Sequence, residues 1–185
     1  EAAGARITTV EIPDLDEVDV IFRSGGLSAF EFASFIRDVL PDFLEGIDPM
    51  VGSRFDKMAA MTAADYQDRK RRMATLSGAA HAAIADVHAV VGPTVPITPP
   101  KIADVAEPEA YMKANLMAAR NTTVANLLAM CAVTIPVGLD VAGMPVGLQV
   151  MCAGGADARA VAIARSFEQV LGTARDRLGT PPRVT

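Results

Sequence analysis

Hydrophobic and polar positions change their period along the chain, and each period predicts an element. Residues 5–12 alternate polar with apolar side chains, are rich in β-branched residues and stop at Pro13, which predicts a short strand. From 27 to 44 the apolar positions Phe30, Ala33, Phe35, Ile36, Val39 and Leu40 recur at helical spacing, and Ser28 with Glu31 three residues on reads as a capping box. Pro41 has no N–H to continue the ladder, so this helix is expected to kink or restart there. Residues 46–61 carry Pro49 and Gly52 and read as a connection with a short helix. Thr62-Ala63-Ala64-Asp65 is then a start signal for a long, proline-free, alanine-rich helix over 66–86.

The second half alternates strand and helix signals. An apolar run over 87–91 ending in Gly92-Pro93 predicts a buried strand that stops abruptly. Pro93, Pro96, Pro99 and Pro100 make the following loop stiff and extended, suited either to one wall of a pocket or to a plain connection. Glu107-Pro108-Glu109 opens a helix that runs towards Met130, with proline in the first turn and carboxylates at the positive end of the dipole. Apolar strands over 132–136 and 146–151, joined by residues 140–145, predict a β-hairpin. An amphipathic helix over 157–171 is expected to bury Val161, Ile163, Ala164, Phe167, Val170 and Leu171, and the tail at 179–182 to fray. The sum is an α/β layer structure, a mixed β-sheet of about four strands flanked by helices, with no repeats. Its first strand is expected at an edge, awaiting a neighbour.

Composition narrows the function classes. The chain has 185 residues, 51% hydrophobic and 21% charged, enough for one well-cored domain or a piece of a larger one. A net charge of −5, no Trp and 5% aromatic residues argue against nucleic acid as a partner. The cluster Asp68-Arg69-Lys70-Arg71-Arg72 falls inside the predicted long helix and reads as a solvated or partner-facing surface. No uninterrupted apolar run reaches the ~20 residues a membrane span requires, so no membrane association is expected. Cys131 and Cys152 form neither a disulfide framework nor a zinc-ligand spacing, which fits core thiols in a reducing, cytoplasmic setting. The N-terminus Glu1-Ala2-Ala3-Gly4 lacks an initiator Met and hints at a segment of something longer.

Candidate chemistry is sparse. Ser24, Ser28, Ser34, Ser53, Ser77 and Ser166 include no Gly-x-Ser-x-Gly elbow; Arg23-Ser24-Gly25-Gly26 comes nearest and reads as a turn before a helix. His81 and His88, seven apart, have no ligand pattern beside them, so a structural role is expected and no metal. Phosphate-cradling glycine loops are missing too, and no cofactor is expected. Residue by residue, this is a scaffold without a catalytic engine.

Three motifs in order carry a resemblance. Asn121-Thr122-Thr123-Val124-Ala125-Asn126-Leu127-Leu128, then Cys131-Ala132-Val133-Thr134-Ile135-Pro136-Val137-Gly138, then Gly143-Met144-Pro145-Val146-Gly147-Leu148-Gln149 resemble the C-terminal half of the amidase signature family. Upstream, Val90-Val91-Gly92-Pro93-Thr94-Val95-Pro96 looks like the family's strand ending in Pro-Thr-x-Pro, and Thr62-Ala63-Ala64-Asp65-Tyr66 like the start of its long helix. Local physics agrees with several matches: Gly143 for a turn through positive φ, Gly147 for close approach of another backbone, Pro136 to end a strand, Asn126 to bond free carbonyls or a nearby loop. Ala129-Met130-Cys131, where the family commonly has Gly-x-Pro, and His88, where Asp is frequent, depart from the pattern.

The resemblance implies the amidase signature fold and a serine hydrolase of amide bonds built on Ser, a cis-peptide Ser and Lys. Those residues belong to an N-terminal half with no counterpart here, so the chain alone is expected to be inactive and none of Lys57, Lys70, Lys101 or Lys113 inherits their role. Substrate-side positions implied for this half are Thr94, Pro96, Thr122 and Asn126. The expected partners are a small-molecule amide in the full-length parent, the missing N-terminal half, and a second copy of the chain through exposed apolar surface. Alternatives are a stand-alone interaction module derived from the same family and the catalytic component of an amidotransferase.

Overall fold

The computed structural model describes residues 3–52 and 61–180. Helix α1 spans Leu15–Arg23, α2 Ser28–Val39 and α3 Ala63–Ala83; strand β1 is Val90–Pro93, helix α4 Pro108–Leu127, strands β2 and β3 are Met130–Leu139 and Pro145–Ala153, and helices α5 and α6 are Asp157–Leu171 and Ala174–Leu178. Short 3-10 turns occupy Pro41–Gly46 and Ile102–Val105. The α/β architecture, the hairpin and the limits of α5 agree with the periodicity.

The sheet is three-stranded and antiparallel in the order β1-β3-β2, so the hairpin's second strand is central. Register puts Thr134, Gln149 and Gly92 on one face and Val133 with Val150, Cys131 with Cys152 on the other. Val150 and Cys152 are fully buried, and α5 lies against β2 and β3. A second core joins α1, α3 and the end of α4 through Val18, Ile21, Leu76, Ala80 and Leu128, with Ile12 and Met73 packed against it.

Several expectations change. The run over 87–91, expected as a buried strand, yields β1 at Val90–Pro93 on the edge of the sheet, with Val91 48% exposed. Residues 5–12 form no strand: no described strand lies beside them, Ile7 is 72% exposed, and Ile12 turns into the helical core instead. A strand exists only through a partner's hydrogen bonds, which an alternating pattern cannot supply. The Ser28 cap is displaced because Gly25 and Gly26, both at positive φ, feed the chain into α2 one residue early; Leu27 takes the cap position and Glu31 accepts a hydrogen bond from the Tyr66 hydroxyl at 2.6 Å. Pro136 does not end β2. It sits at a register shift between Pro136 and Gly138, where a missing N–H is tolerated, and the strand continues to Leu139. On α5 the residues packed closely are Ala160 and Ala164, four apart and small, whereas Val161, Val170 and Leu171 are exposed. Gly147 meets side chains rather than backbone: a β-carbon there would lie 2.7 Å from Thr134 Cγ2 and 2.8 Å from Thr94 Oγ1.

Other readings hold. α2 ends at Val39 and restarts as a 3-10 turn at Pro41. Thr62 and Asp65 make a reciprocal capping box on α3, and Gly143 takes φ 77° in the hairpin turn. The expected short helix within 46–61 begins at 49–52, and Ser53 and Lys57 lie outside the described residues, as does the end of the tail at 181–182. Helices α1 and α6 occupy stretches to which the pattern assigned no element; α6 starts at a capping box of Thr173 and Asp176. The basic cluster divides its work: Arg69 donates to the carbonyls of Ser24 and Gly26, Arg72 pairs with Glu17 of α1, and Arg71 pairs with Asp68 on α3 itself. It is partly an intramolecular clamp.

Candidate functional site

Where β1 ends, four elements converge. Thr94 leaves the strand with its N–H donating to the Gly147 carbonyl at 2.9 Å, and its hydroxyl lies 3.1 Å from that of Thr134 on β2. Asn121, on α4, donates from Nδ2 to the Pro93 carbonyl at 2.8 Å. The peptide unit between Pro93 and Thr94 is therefore held at both ends, by a helix side chain and by the central strand. Gly147 makes room for the two threonines, since any side chain there would occupy their space.

The proline-rich loop is tied down further on. Thr98 donates its hydroxyl to Asp140 at 2.5 Å, and the other oxygen of Asp140 accepts from the N–H groups of Ala142 and Met144, which closes the hairpin turn. The Thr98 hydroxyl and then the Met144 N–H hold the Asp140 carboxyl below the usual carboxylate range. Asp140 thus ties the loop to the hairpin tip.

The positions inferred from the resemblance fall unequally around this junction. Thr94 is within it, and Pro96, half-buried, follows two residues later in the loop. Thr122 is half-buried on α4 but spends its hydroxyl on the Ala119 carbonyl of its own helix. Asn126 is exposed near the end of α4, and its backbone carbonyl accepts from the Ala129 N–H as the helix closes. Five residues along a helix turn a side chain by about 140° and carry it ~7.5 Å up the axis, so Asn121 and Asn126 do not share a face. The structure therefore joins Thr94 to Asn121, Thr134 and Gly147. Sequence reasoning passed over Asn121 and Thr134 as site residues although both stand inside the motifs it quoted.

Gln149 adds a polar group to the same sheet face, directly opposite Thr134 and Gly92. It is 3% exposed, and its Oε1 has no partner among the described residues. Hydroxyls, amides and backbone N–H groups can orient a polar ligand, but among the described residues no nucleophile stands against a base. Ser24, Ser77 and Ser166 donate to backbone carbonyls, Ser34 accepts from Arg37, and Ser28 is exposed at the start of α2. Among the described residues no group of three His, Cys, Asp or Glu is placed to hold a metal, and no helix is long and apolar enough to cross a membrane.

Fold and junction together define a chain of the α/β class with a hydrogen-bonded polar corner where β1 ends. The chain belongs to the Amidase family, whose profile matches residues 1–161. It is 38% identical over 179 residues to 2-amino-5-chloromuconic acid deaminase from Comamonas testosteroni, a match covering 97% of this chain and 39% of that protein. It is 40% identical over 67 residues to a glutamyl-tRNA(Gln) amidotransferase subunit from Halobacterium salinarum, 36% of this chain and 15% of that one. A crystal structure of an amidase superposes with a TM-score of 0.73 at 26% identity, covering 92% of this chain and 39% of its own. The chain spans about two fifths of the length of the first of these relatives.

Proposed function

We propose that this chain is the C-terminal part of an amidase signature serine hydrolase that cleaves carbon–nitrogen amide bonds, with its Ser/cis-Ser/Lys triad in an N-terminal half outside these residues. The observation that carries the reading is the junction itself: Thr94, Thr134 and Asn121 form a built polar corner, inside family motifs, beside which no described serine is free to act with a base. In this reading the corner is one wall of the substrate site. Its hydroxyls orient a small amide, while nucleophile and oxyanion donors come from the other half. The family relationship supports the reaction class, and the relatives' names, those of a deaminase and an amidotransferase component, are of the same C–N chemistry.

The test is ammonia release from a panel of small amides, with the 185-residue chain alone and with the natural full-length product. The chain alone is expected to give no turnover above background, and the full-length protein to turn over. Activity of the isolated chain that vanishes in Ser24→Ala would overturn the assignment of the nucleophile to another half.

A further inference from the structure

Cys131 and Cys152 are direct cross-strand partners at the open end of the hairpin, on the face opposite to Thr134. Both side chains project from the same face, and both thiols are free. Cα atoms of directly opposed residues in an antiparallel pair lie about 4.5–5.5 Å apart, inside the roughly 4.4–6.8 Å span of a disulfide. The Cys131 sulfur is already 3.7 Å from the carbonyl oxygen of Cys152 and 3.3 Å from that of Ala153. The register thus places the two residues at a separation that a disulfide spans, with a change of side-chain rotamer bringing the sulfurs from their separate carbonyls to each other.

The geometry points to an oxidisable dithiol: we propose that Cys131 and Cys152 form an intramolecular disulfide when the chain meets a small disulfide oxidant, clamping β2 to β3 behind the polar corner. This inference is independent of the proposed amidase reading. The two thiols have different tasks. Cys131 is half-buried and within reach of a small molecule, whereas Cys152 is 1% exposed and its thiol is pushed up by burial. Cys131, as thiolate, attacks one sulfur of the oxidant, forming a mixed disulfide and expelling one thiol. Cys152 then gives its proton to water, attacks the Cys131 sulfur and expels the second thiol. Two protein thiols are oxidised, one external disulfide is reduced to two thiols, and no other reactant enters. The backbone carbonyls of Cys152, Ala153 and His88 lose only weak S–H hydrogen bonds.

The experiment incubates the folded chain with oxidised glutathione, quenches in acid, alkylates under denaturing conditions, and reads intact mass and peptide map. Both thiols are expected to disappear together, with a mass loss of two hydrogens and a peptide joining Cys131 to Cys152. Cys152→Ser should instead retain glutathione on Cys131, trapping the intermediate, and Cys131→Ser should leave Cys152 free. A lasting glutathione adduct on the unsubstituted chain, two thiols still alkylated, or a disulfide found only between chains would each overturn the proposal. Because the first readout needs no substitution, a variant that fails to fold does not protect the idea.

Discussion

The hairpin end of the molecule and its N-terminal helical arm are held by different balances of forces. Around β1–β3 the contacts are close and mostly apolar: Val150 and Cys152 are sealed between layers, and the chain around Gly154 passes so near that a β-carbon there would lie 2.3 Å from the Ala129 carbonyl oxygen. Ala129 itself takes φ 51°, a left-handed conformation, to make that passage. The α1–α2 arm packs Val18 and Ile21 into the helical core and is fastened to α3 in addition by polar contacts at the surface, Arg72 on Glu17, Arg69 on two loop carbonyls, and Tyr66 on Glu31. Packing is short-ranged and indifferent to salt, while exposed charges are screened. Both regions should therefore answer to volume changes in their cores, and the arm, through its exposed ion pair, also to ionic strength.

Volume changes supply the largest expected effects. Leu128, with no exposed surface, closes the helical core beneath the hairpin, and Leu128→Ala should cost about 3 kcal/mol, read as a shift in the urea midpoint with an unchanged slope. Gly154→Ala meets backbone rather than a movable side chain, and should cost roughly 2–3 kcal/mol. If Gly154→Ala left the midpoint in place, the claim that the sheet end is held by packing would fail, and the same result for Leu128→Ala would remove the helical core as a source of stability.

Smaller effects belong to the polar corner. Asn121→Ala removes the donor to the Pro93 carbonyl and should cost about 1 kcal/mol, whereas Thr122→Ala, whose hydroxyl only returns to its own helix, should cost less. Equal losses would mean that α4 does not position the β1 end through Asn121. In a full-length enzyme, Asn121→Ala should also disturb substrate orientation more than Asn126→Ala does.

The last prediction concerns pH and sharpens the contrast between regions. Glu17 is held below its ordinary value by the Arg72 hydrogen bond, Asp65 by the Thr62 hydroxyl, and Asp176 by the Thr173 hydroxyl. A folded value below the unfolded one lends stability that is complete above the unfolded carboxylate range, at about pH 5 and higher, and is lost as pH falls through the folded values. Acid should therefore loosen the Glu17–Arg72 tie of the arm and also the Asp140 contacts of the hairpin turn, whereas added salt at neutral pH should weaken only the arm, whose tie is an ion pair. Simultaneous loss of both at every salt concentration would mean that the regions unfold as one unit.

Sequence and structure agree most where a feature is local. Thr62 with Asp65 marks the start of α3, Pro108 that of α4, and Gly143 the hairpin turn, because capping, proline and positive φ act within a few residues. The first strand and the Ser28 cap failed because each depends on what stands beside it: a ladder partner in one case, and the path through Gly25 and Gly26 in the other. The junction is intermediate. Its motifs were visible as text, but a helical pattern cannot say whether Asn121 or Thr122 meets the Pro93 carbonyl, since one residue is about 100° of rotation and docking alone sets the phase.

By itself, the chain's pattern determined the α/β class, the hairpin, the extent of α5 and the family, all properties of residue order over short spans. Only the tertiary structure decided that Thr94 meets Thr134, that Arg69 and Arg72 clamp the arm, and that Cys131 stands opposite Cys152. Those pairings join residues tens of positions apart, and no local preference carries the distance between them.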